Sequence, residues 1–509
     1  MTQVGEAISA LFKEKEPEPD PDKTGIKIRV ALFFDGTLNN RNNIERREKA
    51  EIAQGKPEPE PQFDEKGKKI KTDTELYNEN RDPSGPNSYD NGRTNIAIME
   101  AQVPQILSKE GDYDFWLKLY IEGQGTFNDK SDSLMGYSMG GLSSGVPRRA
   151  SQGIAKAVSL VKDTLQEKEF FPEDYFIELL TIDVFGFSRG ASTARQSIHQ
   201  MVKSTLRPMY ARLRGIGYED TKKSSVKVCF AGLYDTVLSY WAGQYLHTEW
   251  LLDMKAITEA EKVIHLAAAD EHRLDFPLTN IKSAKSKGNG KEYFLPGVHS
   301  DVGGSYNLAL DLSLQKDVTE DQKEYMRTSD EGADKPDQKG RVINRGPLHE
   351  LEADQQKLMD LGWYLSKEIK VVDITPAVPP RVGRNGMEPG RPAHGVLVVN
   401  RKGIRSGYSN IPLKIMAKFA RESSVKIDGK LEEIANKILD TENDLKELEK
   451  KIKNYVETTT ESTADHWLSN PEMGPIRNRH FHFSSKVGAG YNPRFGKDKI
   501  TRTRYIVDA

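Results

Sequence analysis

The sequence predicts an α/β fold in which a mostly parallel sheet is flanked by helices. The first observation is a series of apolar, strand-like runs, at residues 26–34, 116–122, 176–185, 226–233 and 293–298. The second is that helix-compatible stretches lie between several of these runs, for example at 94–107, 150–165 and 189–206. Strands that alternate with helices along a chain are typical of a layered architecture with parallel strand pairing.

Changes of composition divide the chain into three predicted parts. Residues 1–24 form a charged, proline-punctuated tail or linker. Residues 25–310 carry the strands and helices of the main domain, and residues 41–93 form a polar surface insertion within it. Residues 311–509 form a mainly helical additional module, which we expect to contact a membrane or a partner.

Residues 311–509 contain several amphipathic stretches. We expect helices at 348–369 and 430–455 and a short strand at 394–400, whereas the charged stretch 315–345 has too few apolar residues for a core strand. The pattern of 430–455 favours a solvated helix packed by one stripe over a coiled coil. The basic segment 411–421 fits either a helix docked on the core, which we favour, or contact with a lipid surface.

Composition excludes several classes of protein. The chain has 509 residues, a formal net charge of −2 and a single cysteine, Cys229. A near-neutral charge gives no reason to expect a nucleic-acid partner, and one cysteine excludes an internal disulfide framework or a Cys-rich zinc site. The first residues lack the pattern of a secretory signal, and no apolar run approaches a membrane span, so we expect synthesis in the cytoplasm.

The pentapeptide Gly186-Phe-Ser188-Arg-Gly190 is the strongest functional signal. An apolar strand candidate leads into it and a helix-compatible stretch leads out, which is the setting of a nucleophile elbow. The same spacing also occurs around Ser138 and Ser143, but in a glycine-rich loop (residues 136–145) without a preceding strand. Ser188 is therefore the predicted nucleophile; the alternative is an ordinary tight turn in which Ser188 caps the helix.

A nucleophilic serine needs a histidine base and a carboxylate that orients it. Asp235 and His299 each follow a strand candidate, and the order serine, acid, histidine is that of α/β hydrolases. Asp301 competes for the acid role, although orienting the His299 loop suits it better. Other histidines remain open as the base: His247, His265 and His272 on helix-like stretches, and the later His480 and His482.

The turn at Asp35-Gly36-Thr37 allows two interpretations. It resembles part of the signature of haloacid-dehalogenase-type phosphatases, but Phe33 occupies the place of their nucleophilic aspartate. We therefore expect the backbone N–H groups of Gly36 or Thr37, together with that of Arg189, to form an oxyanion hole. The alternative is that the Asp35 and Thr37 side chains only close the turn.

Five motifs in this order resemble the Tle1-type lipase effectors of bacterial type VI secretion, which share an uncharacterised hydrolase-like domain. They are FFDGTLNN, YIEGQGT, GFSRGAS, FAGLYDTV and PGVHSDVGGSY, between residues 26 and 306. The resemblance implies an α/β-hydrolase-like fold with added helical segments in the C-terminal third. It places the catalytic serine, aspartate and histidine at Ser188, Asp235 and His299. It also implies phospholipase activity, delivery by a secretion spike protein into the periplasm of a rival cell, and a cognate immunity protein.

The predicted function is thus serine-dependent hydrolysis of phospholipid esters, with peripheral membrane contact and without a metal or cofactor. The glycine-rich loop and the insertion after Arg41 are candidates for a lid. Two alternatives remain open. One is a soluble esterase or acyltransferase acting on a small substrate, and the other is a non-catalytic binding module that keeps the elbow for packing.

Overall fold

The computed structural model describes most of the chain. The described residues are 23–56, 60–82, 87–132, 145–203, 208–238, 252–273, 275–306, 319–328, 348–375, 381–383, 386–388, 394–485 and 504–509. The tail at residues 1–22, the glycine-rich loop with Ser138 and Ser143, and His247 lie outside them.

A six-stranded parallel sheet forms the centre of the fold and confirms the predicted α/β class. Its strand order is β4-β1-β5-β6-β7-β9, and every adjacent pair is parallel. The strands are β1 (Thr24–Phe34), β4 (Phe115–Ile121), β5 (Tyr175–Phe187), β6 (Ser225–Tyr234), β7 (Ala260–Ala268) and β9 (Gly290–Leu295). The short β2 (Gln62–Phe63), β3 (Lys69–Ile70) and β8 (Leu278–Thr279) lie outside this sheet.

Alternating side chains of the central strands feed two separate apolar layers, as the two-residue period of a strand requires. In β1, Val30, Leu32 and Phe34 belong to one buried cluster, whereas Ala31 and Phe33 belong to the other. The first layer contains apolar residues of α4 (Val146–Glu167), α5 (Arg189–Ile198) and α6 (Pro208–Gly215). The second contains residues of α3 (Asn95–Ala101) and many from residues 351–483. Both faces of the sheet are therefore covered, as parallel sheets require.

The insertion at 41–93 contains regular structure. Its elements are α1 (Arg41–Ala53), the β2–β3 hairpin and α2 (Asp73–Asn80). The Asn40 side chain caps α1 by accepting from the N–H groups of Asn42 and Asn43.

The expectation that His265 lies on a helix is wrong, because His265 lies in β7. The sequence Ala-Glu-Lys-Val-Ile-His-Leu-Ala-Ala contains several good helix formers. Its pairing between β6 and β9 overrides that preference.

Residues 319–328, 369–375 and 394–405 form a second, antiparallel sheet. Its order is β10 (Thr319–Thr328), β14 (His394–Arg405), β11 (Ile369–Thr375). β10 lies in the charged stretch and is an edge strand, a position that tolerates a sparse apolar content. A small hairpin pairs β12 (Arg381–Gly383) with β13 (Gly386–Glu388).

Two expected segments differ in detail from the structure, and a third has its favoured form. The helix expected at 348–369 ends earlier, as α9 (Leu348–Asp360), because β11 begins at Ile369. The stretch 430–455 is two helices, α11 (Lys430–Leu439) and α12 (Asn443–Thr458), separated at Glu442, which is buried. The basic segment forms α10 (Asn410–Glu422), whose apolar side chains are buried in the core. Docking, not lipid contact, therefore accounts for its apolar face.

The remaining elements are short. They are α7 (Lys282–Lys287), α8 (His299–Gly303), α13 (Asp465–Leu468), α14 (Met473–His480) and β15 (Ile506–Val507). A π-helical turn at His199–Lys203 extends α5, and 3₁₀ turns lie at Met254–Glu259 and Gly407–Ser409. Within the described residues, every helix is too short or too polar to cross a membrane.

Candidate active site

Ser188 lies at an abrupt turn between β5 and α5. Its backbone angles are φ 59° and ψ −130°, a region that residues other than glycine rarely adopt. The flanking glycines make the turn possible. A Cβ on Gly186 would lie 2.5 Å from the Cα of Ala191, and a Cβ on Gly190 would overlap the carbonyl oxygens of Phe34 and Asp35. The predicted elbow residues therefore lie in elbow geometry.

Asp235 lies beside Ser188 because β5 and β6 are neighbours in register. Phe187 pairs with Tyr234, and the Ser188 N–H donates to the Tyr234 carbonyl at 3.1 Å. Asp235 follows at once, is fully buried, and also has a positive φ, of 38°. Two strained residues thus occur side by side at the carboxyl edge of the sheet, where open α/β sheets place their functional groups.

His299 reaches the same edge from the end of β9. Its Nδ1 lies 2.5 Å from Oδ2 of Asp235, and its ring packs against those of Phe187 and Phe276 at centroid distances of 4.5 and 4.9 Å. The backbone N–H of His299 donates to Glu271 at 3.1 Å. These contacts direct Nδ1 to the carboxylate, so that Nε2 is the ring nitrogen left for chemistry.

The structure thus brings Ser188, Asp235 and His299 to one sheet edge. Among the described residues, the Ser188 hydroxyl makes no hydrogen bond. In enzymes without substrate, hydrogen bonds between catalytic groups are often long and tighten when substrate binds. Ser188 and His299 are 6% and 4% exposed, so any substrate must enter a largely enclosed site.

Burial and charge set opposite ionisation states for the two partners. Burial by itself would favour a neutral Asp235, but the Arg504 guanidinium and the bond to His299 hold the pKa of this carboxyl well below its usual range. Burial lowers the pKa of His299, and the Asp235 hydrogen bond only partly opposes it. The pair therefore rests as a carboxylate and a neutral imidazole, which is the form a general base requires.

The Asp35 turn lies directly against the elbow. The Asp35 carboxylate accepts from Thr94 at 2.8 Å, Tyr120 at 2.5 Å and the Gly36 N–H at 2.7 Å. Burial raises the pKa of Asp35 to about 6 in spite of these bonds. Because the Gly36 N–H is engaged by Asp35, Thr37 remains the better donor for the predicted oxyanion hole. Its hydroxyl accepts from the Arg189 side chain at 2.5 Å.

Asp301 and His482 form a second buried acid–histidine pair next to the first. Nδ1 of His482 lies 2.8 Å from Asp301 Oδ1, and Asp301 also accepts from the N–H of Val298 at 3.0 Å. Asp301 therefore contacts the start of the His299 loop and not the His299 ring. The structure places these two secondary candidates together and apart from the Asp235–His299 bond, whereas the third, Asp35, lies in the turn described above.

The other histidines have contacts of their own. Nδ1 of His265 bonds Glu292 at 2.7 Å and its Nε2 accepts from the Thr236 N–H at 3.0 Å, while the ring of His272 stacks on Phe483. His480, with Glu442 and Asp444, forms the one group with metal-ligand spacing among the described residues. However, Arg479 pairs with both carboxylates, so an arginine already supplies the positive charge there.

Arg504 is the site residue that the sequence analysis missed. Its guanidinium contacts both oxygens of Asp235, Nη1 to Oδ1 at 2.5 Å and Nη2 to Oδ2 at 2.8 Å. No motif surrounds it, since the sequence there is Thr-Arg-Tyr-Ile-Val. Only the pairing of β15 with β8 brings it to the site.

The parallel sheet and the sharp strand-to-helix turn define an α/β fold of the hydrolase type. Residues 208–320, which include Asp235 and His299, match the family model described as "T6SS, Phospholipase effector Tle1-like, catalytic domain". This match confirms the resemblance that the five motifs indicate.

One similar solved structure supports the fold. The chain is similar to the Tle1 effector in "Structure of the Tle1 effector bound to the VgrG spike from the Type 6 secretion system", with 18% identity, a TM-score of 0.53, and coverage of 96% of this chain and 94% of that one. At this identity the likeness supports the fold alone. A second match, an uncharacterized protein from Pseudomonas aeruginosa, has 17% identity and a TM-score of 0.29 and covers 60% of this chain and 44% of that one. No curated protein matches.

Proposed function

We propose that the chain is a serine carboxylic-ester hydrolase that cleaves membrane phospholipids as an antibacterial type VI secretion effector. The observation that carries this proposal is the 2.5 Å contact of His299 with Asp235 at the sheet edge where Ser188 occupies its strained turn. The phospholipase class is supported by the family match over residues 208–320.

In the proposed reaction, Ser188 Oγ attacks the ester carbonyl while Nε2 of His299 removes the hydroxyl proton. The imidazolium is stabilised by the Asp235 carboxylate, to which its Nδ1–H donates. Backbone N–H groups of Arg189 and Thr37 hold the oxyanion of the tetrahedral intermediate. The intermediate collapses when His299 gives the proton to the leaving alcohol. The acyl group on Ser188 is then transferred to a water that His299 deprotonates.

Partners and location follow from the same proposal. The Tle1 effector in the similar structure is bound to the VgrG spike, and we propose that a spike protein likewise carries this chain out of the producing cell. It would act at the membrane of the target cell from the periplasm, and an immunity protein would protect the producer. Membrane contact would involve surfaces other than α10, whose apolar side is buried.

Hydrolysis of phospholipid vesicles tests the proposal. Wild type should release fatty acid and react with a fluorophosphonate probe, and Ser188→Ala should lose both, because the nucleophile is gone. Ser197→Ala is the matched control, since Ser197 is a buried serine of α5 whose hydroxyl, among the described residues, bonds the Ala194 carbonyl alone, at 2.7 Å.

Other outcomes of this experiment would favour a different function or refute the role of Ser188. Hydrolysis of a monomeric ester without activity on vesicles would favour a soluble esterase. Absence of both activities and of probe labelling in folded wild type would favour a binding module. Release of fatty acid by Ser188→Ala at the wild-type rate would refute the role of Ser188.

A further inference from the structure

Arg504 is buried in the site, although it lies 269 positions from Asp235 along the chain. Its side chain is 4% exposed, and its Nε donates to the carbonyl of Phe276 at 2.9 Å. The ring of Phe276 in turn packs edge-on against His299. The Arg504 guanidinium therefore contacts Asp235 directly. It also bonds Phe276, whose ring packs on His299.

The segment that carries Arg504 is fixed by backbone pairing. β15 runs parallel to β8, the Leu278 N–H donates to the Tyr505 carbonyl at 2.9 Å, and the Asn280 N–H donates to the Val507 carbonyl at 3.0 Å. On the outer side, Lys282 and Asp508 form an exposed ion pair. The arginine is thus held in place independently of its bond to Asp235.

The Asp235 carboxylate is saturated by these contacts. His299 and Arg504 bind Oδ2, while Arg504 and the Ala268 N–H, at 2.8 Å, bind Oδ1. Among the described residues, Arg504 is the one cation that contacts this fully buried carboxylate beside the neutral imidazole, and a buried charge without a partner is costly. Bidentate pairing with an arginine also fixes the plane of the carboxylate.

We propose that Arg504 is a positioning residue that fixes the orientation of Asp235 for His299 and balances its charge in the resting enzyme. The proposal rests on the proposed function, because it assigns Arg504 a role in the same hydrolysis. Among the described residues, no hydrogen bond joins Arg504 to the Ser188 hydroxyl or to the His299 imidazole, so its proposed action is through the carboxylate.

The remaining charges near the pair give the sign of the expected pH effect. Glu271 and Arg273 face His299 and are bonded to each other. The neighbouring carboxylates have partners of their own: Asp270 with Arg477, Glu292 with His265, and Asp301 with His482. Without Arg504, the His299 imidazolium would therefore be the one cation among the described residues that contacts the Asp235 carboxylate. The acid limb of kcat/KM should then move to higher pH, because a more stable imidazolium deprotonates later.

The experiment compares Arg504→Met, which keeps the stem but removes the charge, with Arg504→Lys, which keeps a charge but not the fork. Arg504→Met should lower kcat by about tenfold or more with little change in KM, since general-base catalysis contributes about 100-fold or more. Its acid limb should lie at higher pH than that of wild type. Arg504→Lys should show a smaller loss and a smaller displacement. Asp508→Asn, which weakens the same segment away from the site, should match wild type.

An unchanged acid limb in folded Arg504→Met would overturn the proposal, as would an equal loss of activity in Asp508→Asn. If Arg504→Met does not fold, Arg504→Lys decides, because a wild-type rate and profile there would refute the need for the fork. Failure of the proposed function would look different, since wild type itself would then show no Ser188-dependent hydrolysis at any pH.

Discussion

The strained turn at Ser188 should cost stability, and exchanging this serine for glycine should recover part of that cost. Holding a non-glycine residue in such a conformation costs about 1–3 kcal/mol, and glycine adopts it freely. The greater freedom of glycine in the unfolded chain offsets about 0.5–1 kcal/mol of the gain. Ser188→Gly should therefore be more stable than Ser188→Ala by about 1 kcal/mol, because alanine keeps the strain.

Urea unfolding of the two variants measures this difference directly, and both should be inactive because both lack the nucleophile. Ser192, a buried helical residue in α5, supplies the control. There the order should invert, with glycine about 1 kcal/mol less stable than alanine as in any helix interior. A Ser188→Gly variant that unfolds at the same urea concentration as Ser188→Ala, or earlier, would refute the argument from strain.

Three further predictions follow from neighbouring groups. Gly190→Ala should destabilise the protein by about 1–3 kcal/mol, the usual cost of overpacking, and should greatly reduce ester hydrolysis, because its Cβ would overlap backbone oxygens of the Asp35 turn; full activity would contradict the tight packing. Burial raises the pKa of Asp35 to about 6, so the stability from this group is full below pH 4 and is lost as the pH rises through 6. Asp35→Asn should not lose it, and its unfolding free energy relative to wild type should rise by about 2.5 kcal/mol between pH 4 and 7. A pH-independent difference would show that Asp35 titrates normally. His482→Ala should retain most ester hydrolysis, whereas His299→Ala should lose at least about 100-fold; equal losses in the two variants would reopen the choice of base.

The central sheet could be predicted because its strands are buried on both faces and read as continuous apolar runs. β7 escaped prediction for a local reason. Its alanines, glutamate and lysine are good helix formers, and only its place between β6 and β9 makes it a strand. The break between α11 and α12 was missed as well, since the burial of Glu442 there and its pairing with the distant Arg479 leave no local signal in the sequence.

Some residues of the candidate site could likewise be predicted from the sequence, and others could not. Ser188, Asp235 and His299 could be chosen from the sequence because each follows a strand end, and strand ends of a parallel sheet meet at one edge. For the oxyanion hole, the sequence left the choice between the N–H groups of Gly36 and Thr37 open. Only the structure shows that the Gly36 N–H already donates to the Asp35 side chain. Arg504 has no local signature, and its partner lies 269 positions away.

That separation has a consequence for biosynthesis. A ribosome would deliver the serine turn, the acid and the histidine well before the arginine emerges. Under the proposed role of Arg504, a nascent chain would therefore lack a group that positions Asp235 until residues 504–507 have been made and β15 pairs with β8. Hydrolysis at the full rate would then begin only once that pairing has formed.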